Sequence, residues 1–132
     1  MPILTLFKKS IQKKSRRSSL IKALDALVSR QVRERDGYRC RKCGVNRSGG
    51  RVYHHHIFTK IRLTTRWDLK NGVTLCFYCH RWAHSAGEEF REWVLTWMPA
   101  AEYESLYLKS QMHGGYKECD LEWLLIEMRR AA

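Results

Sequence analysis

The chain has 132 residues, of which 44% are hydrophobic, and it carries a formal net charge of +12 at pH 7. This length suits one compact domain, and this hydrophobic content excludes a disordered chain. No run approaches the roughly 18 apolar residues of a membrane span, and the apolar start at residues 1–7 is too short for a secretory leader. We therefore expect an intracellular, cytoplasmic protein without a membrane partner.

The positive charge is concentrated in the first two thirds of the chain. Residues 1–35 hold 10 Lys and Arg against 2 acids, and residues 36–84 hold the same numbers. Residues 85–132 hold 5 against 9 and are acidic. This distribution indicates a polyanionic partner, with nucleic acid favoured because the basic segments lack the large apolar face of a membrane-surface helix. Solubility alone is the alternative explanation.

The N-terminal part is predicted to contain an arm and one helix. Residues 8–19 are basic and polar, which predicts that residues 1–19 form a flexible arm that contacts DNA. Apolar residues recur at helical spacing over residues 20–35, and Asp36-Gly37 is expected to end that helix. Residues 20–132 are expected to form a single domain.

Short strands alternate with turns in the middle of the chain, and helices follow. The sequence predicts cysteine knuckles at residues 38–44 and 76–79, strands at 51–57 and 73–75, a loop at 58–70, and a helix from residue 80. Ser85-Ala-Gly-Glu88 matches a capping box before an apolar helical face. Further helices are predicted over residues 100–112, after Pro99, and over 121–130.

Two Cys-x-x-Cys pairs, Cys40/Cys43 and Cys76/Cys79, have the spacing of zinc knuckles. Four thiolates close a tetrahedral structural site, which contributes on the order of 10 kcal/mol to folding. The 32 residues between the pairs exceed the usual spacing of a zinc ribbon. We therefore expect a functional insert between the knuckles. Cys119 stands alone and is not predicted to be a ligand.

The insert and its C-terminal flank contain five of the six histidines. His80 and His84 are spaced i, i+4 and leave one face of a helix, which is a spacing of metal ligands. On a strand, His54 and His56 point to one face and His55 points to the other.

These residues, in order, resemble the HNH endonuclease pattern. The resemblance is carried by His55-His56-Ile57, Asn71 and Cys76-Phe-Tyr-Cys79-His80-Arg-Trp-Ala-His84. The variant with two Cys-x-x-Cys pairs is common among phage-encoded and mobile-element nucleases. The match covers about residues 34–84, and the helices on either side lie outside it.

The resemblance implies a β-hairpin and a helix around one catalytic divalent ion, either Mg²⁺, Mn²⁺, Ni²⁺ or Zn²⁺. It implies that His56 is the general base and that Asn71 orients it by a side-chain hydrogen bond to the backbone or the imidazole. It implies that His80 is both a member of the catalytic set and a metal ligand. His55 and His84 complete the implied ligands, although many relatives have Asp at the position of His55.

The chemistry agrees with these residue types. Phosphodiester cleavage needs an activated water, which a neutral histidine provides, and a cation that neutralises developing charge. Asp68 is the only acid between Asp36 and Glu88, so paired carboxylates are not available. In the alternative register, His54 is the ligand and His55 the base. The flanking cations are candidates to clamp phosphates, and they are Lys60, Arg62, Arg66 and Arg81.

We therefore predict an α+β fold in which a small ββα-metal module with a four-cysteine zinc site, its motif core at residues 38–84, is flanked by N- and C-terminal helices. The predicted function is metal-dependent DNA endonuclease, with DNA as partner and the cytoplasm, or a host cell's cytoplasm if phage-encoded, as location. A second partner would be a protein of a phage DNA-processing or packaging complex. The alternatives are a non-catalytic zinc-dependent nucleic-acid-binding module and a subunit of a phage DNA-processing machine.

Overall fold

A computed structural model describes residues 2–45, 50–114 and 116–131. Within these ranges the fold is α+β, as predicted, with six helices and one sheet of two antiparallel strands. The helices are α1 (Pro2–Arg35), α2 (Leu63–Arg66), α3 (Phe77–Ser85), α4 (Gly87–Leu95), α5 (Ala100–Ser110) and α6 (Glu118–Arg130). The strands are β1 (Val52–His56) and β2 (Gly72–Cys76), and a 3-10 turn at Leu69–Asn71 precedes β2.

The N-terminal segment differs from the prediction, because helix α1 begins at Pro2 and includes the residues expected to form a flexible arm up to residue 19. Lys, Arg and Gln are good helix formers, and no glycine interrupts this stretch. Proline is accepted at the first helical position because its missing N–H has no helical partner there. The basic segment therefore extends the predicted helix of residues 20–35.

The chain also divides differently from the expected single domain over residues 20–132. One compact unit comprises the described parts of Met1–Leu27 and Gly115–Ala132, and the other comprises Val28–Gly114. The division falls inside α1, whose apolar stripe continues through it and gives no compositional signal of a boundary. Among the described residues, no helix combines the length and the apolar character that crossing a membrane requires.

In the first unit, the basic part of α1 contacts the acidic helix α6. Arg16 forms ion pairs with Glu118 and Glu122, and Arg17 donates a hydrogen bond to the carbonyl of Tyr116. Exposed pairs of this kind contribute at most about 1 kcal/mol each. Part of the positive charge of residues 1–35 is therefore neutralised within the protein, by acids that the sequence places in its last third.

In the second unit, the hairpin and the helices that follow it enclose the core. Strand β2 is buried along its whole length, because α3 and α4 cover one face and the end of α1 covers the other. The buried core cluster consists of Cys40, Val73, Leu75, Cys76, Ala83, Phe90, Val94, Met98 and Leu106. Trp67 is buried and Trp82 packs against the core, in agreement with a structural role for both.

The corner between α3 and α4 corrects one local prediction. Helix α3 extends to Ser85, so this residue ends a helix and does not cap the next one. Its hydroxyl donates to the carbonyls of Arg81 and Trp82, and Ala86 occupies the N-cap of α4 without a side-chain bond. Pro99 is the N-cap residue of α5.

Asp36 fastens the end of α1 to β2. Its carboxylate accepts hydrogen bonds from Arg35 at 2.9 and 3.0 Å and from the Thr74 backbone N–H at 3.0 Å. Burial raises the pKa of this carboxyl. The hydrogen bonds and charge of Arg35 and the hydrogen bonds from Thr74 lower the pKa by a larger amount, so that it ends below its usual value. The ionised form therefore stabilises the fold.

We expect Asp36→Ala to lower the free energy of unfolding by about 1.5–3 kcal/mol near pH 7, since hydrogen bonds to a charged group are lost. A lowered folded-state pKa stabilises the fold above the unfolded value of about 3.9, and the contribution is lost as pH falls through the folded value. The difference between parent and variant should therefore shrink below pH 4 in denaturant titrations. Glu34→Ala, an exposed change in the same helical turn, is the control. An equal loss at pH 3 and pH 7 would contradict this role.

Candidate active site and metal centres

Strand β1 presents the three consecutive histidines to opposite faces of the hairpin. His55 pairs with Val73, and His56 pairs with Gly72. The rings of His54 and His56 lie on one face with centroids 4.3 Å apart. His55 points to the other face, toward helix α3. The predicted alternation is confirmed.

A three-histidine cluster forms where β1 faces α3. Each of His55, His80 and His84 offers one ring nitrogen, and these atoms lie within 4.8 Å of one another. The Nε2 atoms of His80 and His84 are 3.2 Å apart, against an edge of about 3.3 Å for a tetrahedron with metal–nitrogen bonds of 2.0–2.1 Å. The donor set and its spacing thus fit a divalent cation. The structure brings together the three residues predicted as ligands, whereas His54 of the alternative register lies on the other face.

The cluster is open to solvent on one side. His55 is buried, His80 is half-buried and His84 is exposed. A cleft of about 710 Å³ is lined by this cluster and also by His54 and His56. The predicted base and the predicted ligands therefore border the same cleft.

The cluster is electrically suited to bind a cation. Burial, together with positive charge on the neighbouring His80 and His84, lowers the pKa of His55 to about 3. Burial and the neighbouring His84 also lower the pKa of His80. Both rings are therefore neutral near pH 7, which is the state in which imidazole binds a metal ion.

Two aromatic side chains pack against the imidazole rings of this cluster, and no sequence motif pointed to them. Tyr53 stacks on His80 with a centroid distance of 5.5 Å and an interplanar angle of 8°. Phe90, predicted only as part of an apolar helical face, meets His55 edge-on at 4.9 Å. Tyr53 precedes His55 by two residues on the same strand, so the period of two was the signal that placed it on the ligand face.

His56 is fixed by the polypeptide backbone. Its Nε2 lies 3.1 Å from the carbonyl oxygen of Arg66. Because a carbonyl only accepts, Nε2 carries the hydrogen, and Nδ1 of the neutral ring then carries the lone pair. This tautomer has the proton acceptor that a general base requires.

Asn71 is fully buried and ties together the two segments beside His56. Its amide nitrogen donates to the carbonyls of Phe58 at 2.9 Å and Thr65 at 3.1 Å. Its side-chain oxygen accepts from the Phe58 N–H at 2.7 Å. Phe58 follows His56 by two residues, and Thr65 precedes Arg66, the residue that bonds the imidazole. Of the two predicted modes of Asn71, these contacts correspond to the backbone mode.

Gly72 leaves room for His54. A Cβ atom at Gly72 would lie 2.5 Å from Nε2 of His54 and 2.8 Å from a methyl carbon of Val32. Such contacts are too close for any side chain. His54 thus packs over the backbone of β2 beside His56, and glycine at this position is required by that close approach.

The four cysteines form a second candidate metal centre. Their sulfur atoms lie within 4.8 Å of one another, and Sγ of Cys43 is 3.7 Å from Sγ of Cys76. A tetrahedron with Zn–S bonds of 2.3 Å has edges of about 3.8 Å. Cys40 and Cys76 are buried, whereas Cys43 and Cys79 are partly exposed. Cys119 is exposed on α6 and lies outside this group.

The pKa values of the thiols in this centre favour the binding of a cation. Burial raises the pKa of Cys40, but backbone N–H groups of Cys43 and Cys76 lower it to about 7. Burial raises the pKa of Cys43 and of Cys79, and for Cys79 the hydrogen bonds with Cys76 and Cys40 raise it further. Ionising all four therefore needs a positive charge between them, because four thiolates in one place repel one another.

The flanking cations have different surroundings. Lys60 lines the cleft, and Arg66 donates to the Lys60 carbonyl at 3.4 Å. Arg81 lies over the Phe77 ring, with 5.7 Å to the centroid. Arg91 of α4, which no sequence motif singled out, also lines the cleft. Its position depends on how α4 packs and has no local sequence signal.

Comparison with family models, curated proteins and solved structures finds no match to this chain, so the interpretation of the site rests on its own residues and geometry.

Proposed function

We propose that the protein is a metal-dependent DNA endonuclease of the HNH type. The observation that carries this proposal is the common cleft of His56 and the three-histidine cluster, with His56 in the tautomer that leaves Nδ1 as proton acceptor. A binding module has no need of such an acceptor beside a cation site. The HNH sequence pattern of residues 34–84 supports the same assignment.

In this proposal the residues of the cleft have separate roles in phosphodiester hydrolysis. His56 accepts the proton of an attacking water at Nδ1 while the water oxygen forms a bond to phosphorus. Asn71 and the Arg66 carbonyl hold that ring in place. Lys60 and Arg91 attract the phosphate oxygens. The bond from phosphorus to the leaving sugar oxygen breaks, and that oxygen takes up a proton.

The three-histidine cluster would hold one divalent cation. A bound cation supplies positive charge that stabilises the phosphate oxygens and the leaving oxygen as negative charge develops. The ring nitrogens of His55, His80 and His84 converge for this purpose, and burial favours the neutral form of His55 and His80. The four-cysteine centre would hold Zn²⁺ in a structural role, because four thiolates close its coordination and leave no open position.

DNA is the proposed substrate because of charge. Residues 36–84, which contain the proposed base and all of the candidate metal ligands, hold 10 Lys and Arg against 2 acids. Such a surface attracts the phosphate backbone without reading its sequence. We therefore expect weak sequence preference.

Cleavage of supercoiled plasmid tests the proposal. The protein is incubated with Mg²⁺, Mn²⁺, Ni²⁺ or Zn²⁺, or with EDTA, and nicked and linear products are separated on a gel. We expect cleavage with at least one of these ions and none with EDTA. His56→Ala, purified in parallel, controls for contaminating nucleases. If the plasmid stays intact with every ion, the endonuclease proposal fails, and a non-catalytic zinc-dependent nucleic-acid-binding module replaces it.

A further inference from the structure

An aromatic pocket adjoins the metal cleft. This second cavity, of about 580 Å³, is bordered by the loop after β1 and by helices α4 and α5. Phe58, Arg91 and Tyr103 line both the pocket and the cleft. The pocket and the cleft are therefore adjacent and share these three side chains.

Three aromatic rings form one side of the pocket. The Phe58 ring lies 5.1 Å from that of Tyr103 and 5.7 Å from that of Tyr107, with interplanar angles of 54° and 53°. The side chain of Tyr107 is 46% exposed. Exposed rings next to a basic cleft are typical of surfaces on which nucleobases stack, because every base has an apolar face of similar size.

Hydrogen bonds also connect the pocket to the segments beside His56. Phe58 is held through both its N–H and its carbonyl by Asn71, the residue that braces the segments beside His56. A group stacked in this pocket is thus positioned relative to the base. This coupling distinguishes the pocket from a hydrophobic depression elsewhere on the surface.

Two side chains of opposite charge, Arg91 and Glu104, line the pocket. The guanidinium of Arg91 lies at the junction with the cleft, 5.7 Å from the centre of the Tyr103 ring. Glu104 lines the pocket and does not line the cleft. Phosphate is attracted to Arg91 and repelled by Glu104. A carboxylate does accept hydrogen bonds from an exocyclic amino group, as on cytosine or adenine.

We propose that this pocket receives an unstacked, amino-bearing nucleobase from the DNA strand whose phosphate lies in the metal cleft. The substrate is then single-stranded or locally opened DNA, because a base inside a duplex cannot leave its stack without cost. This inference rests on the proposed function for the identity of the strand in the cleft. It adds a substrate class and a base-binding subsite to that function.

Binding of a labelled single-stranded oligodeoxynucleotide, rich in cytosine and adenine, tests the pocket by fluorescence anisotropy. All proteins carry His56→Ala so that the strand stays intact, and a duplex of the same sequence is measured beside it. We expect Tyr107→Ala to weaken single-strand binding roughly 5- to 100-fold, the usual effect of losing one stacking contact, and to leave duplex binding unchanged. Tyr107→Phe keeps the ring and should bind like the parent. Leu108→Ala, an exposed neighbour that does not line the pocket, is the matched control.

Equal single-strand affinity in Tyr107→Ala and the parent would overturn the pocket, as would an equal loss for strand and duplex. A 2-aminopurine placed in the oligonucleotide gives a second measurement, because stacking on tyrosine should quench its emission and Tyr107→Ala should restore it. Failure of plasmid cleavage would overturn the endonuclease proposal alone. The binding measurements decide the pocket independently, since they need no cleavage.

Discussion

Cys40→Ser and Cys76→Ser should each unfold the unit formed by Val28–Gly114. Both thiols are buried in the core cluster, and each lies within 4.8 Å of three other sulfur atoms. A structural Zn²⁺ contributes on the order of 10 kcal/mol, which is as large as the total stability of a typical domain. The loss of one ligand therefore removes more free energy than the fold has in reserve. Metal analysis of the purified parent should give about one tightly bound Zn²⁺, and circular dichroism should report loss of helix in the variants.

Cys119→Ser is the matched control for these variants, because Cys119 is exposed and lies outside the four-cysteine group. It should keep both the zinc content and the thermal transition of the parent. A parent protein that is fully folded and free of zinc would refute the structural role of this centre. So would a Cys76→Ser variant that melts at the parent's temperature.

His56→Ala should lower plasmid cleavage by about 10²–10⁴, the usual contribution of a positioned general base. Folding and metal binding should stay near the parent's, because His56 lies on the strand face opposite the cluster. His80→Ala should instead weaken binding of Mn²⁺ or Ni²⁺ in calorimetric titrations, and high metal concentration should recover part of its cleavage. Asn71→Ala should lie between the two in its effect on cleavage, since it removes the brace of the segments beside His56.

His113→Ala is the control, because this sixth histidine is exposed and lines neither the cleft nor the cluster. One pattern would reverse the assignment of base and ligand. In that pattern His56→Ala abolishes metal binding, whereas His55→Ala spares it and only slows cleavage. If all these variants cleave like the parent, the cleft is not the site of cleavage.

Much of the site follows from local rules that a sequence displays. The spacing of the cysteines and of His80 and His84 is set by helical and knuckle geometry over a few residues. The alternation of His55 and His56 follows from the period of a strand. These short-range patterns predicted the two strands, the helix after them, the four-cysteine cluster and the His80/His84 pair, whereas the hairpin and the ligand role of His55 came from the HNH resemblance. The donor–donor distances within each cluster agree with them.

The features that were missed depend on contacts between distant segments. Arg91 lines the cleft through the packing of α4, and Tyr103 and Tyr107 reach Phe58 because α5 packs beside the hairpin loops. The hydrogen bond from Thr64 to the Lys109 carbonyl contributes to this packing, and no local sequence pattern predicts it. The helical conformation of the N-terminal arm was missed for another reason. Its composition suits both a solvated tail and a basic helix, and composition alone does not decide between them.

Helix α3 has a consequence for the order in which the protein matures. Its first turn contains Cys79, and the next residue is His80, so one helical turn belongs to both candidate centres. Thiolates bind Zn²⁺ far more tightly than imidazoles bind Mg²⁺ or Mn²⁺. We therefore expect the four-cysteine centre to fill first during synthesis and to set the orientation of His80 for the second ion. The three-histidine cluster would then be a late-maturing site, and zinc supply in the cell would govern whether it can load at all.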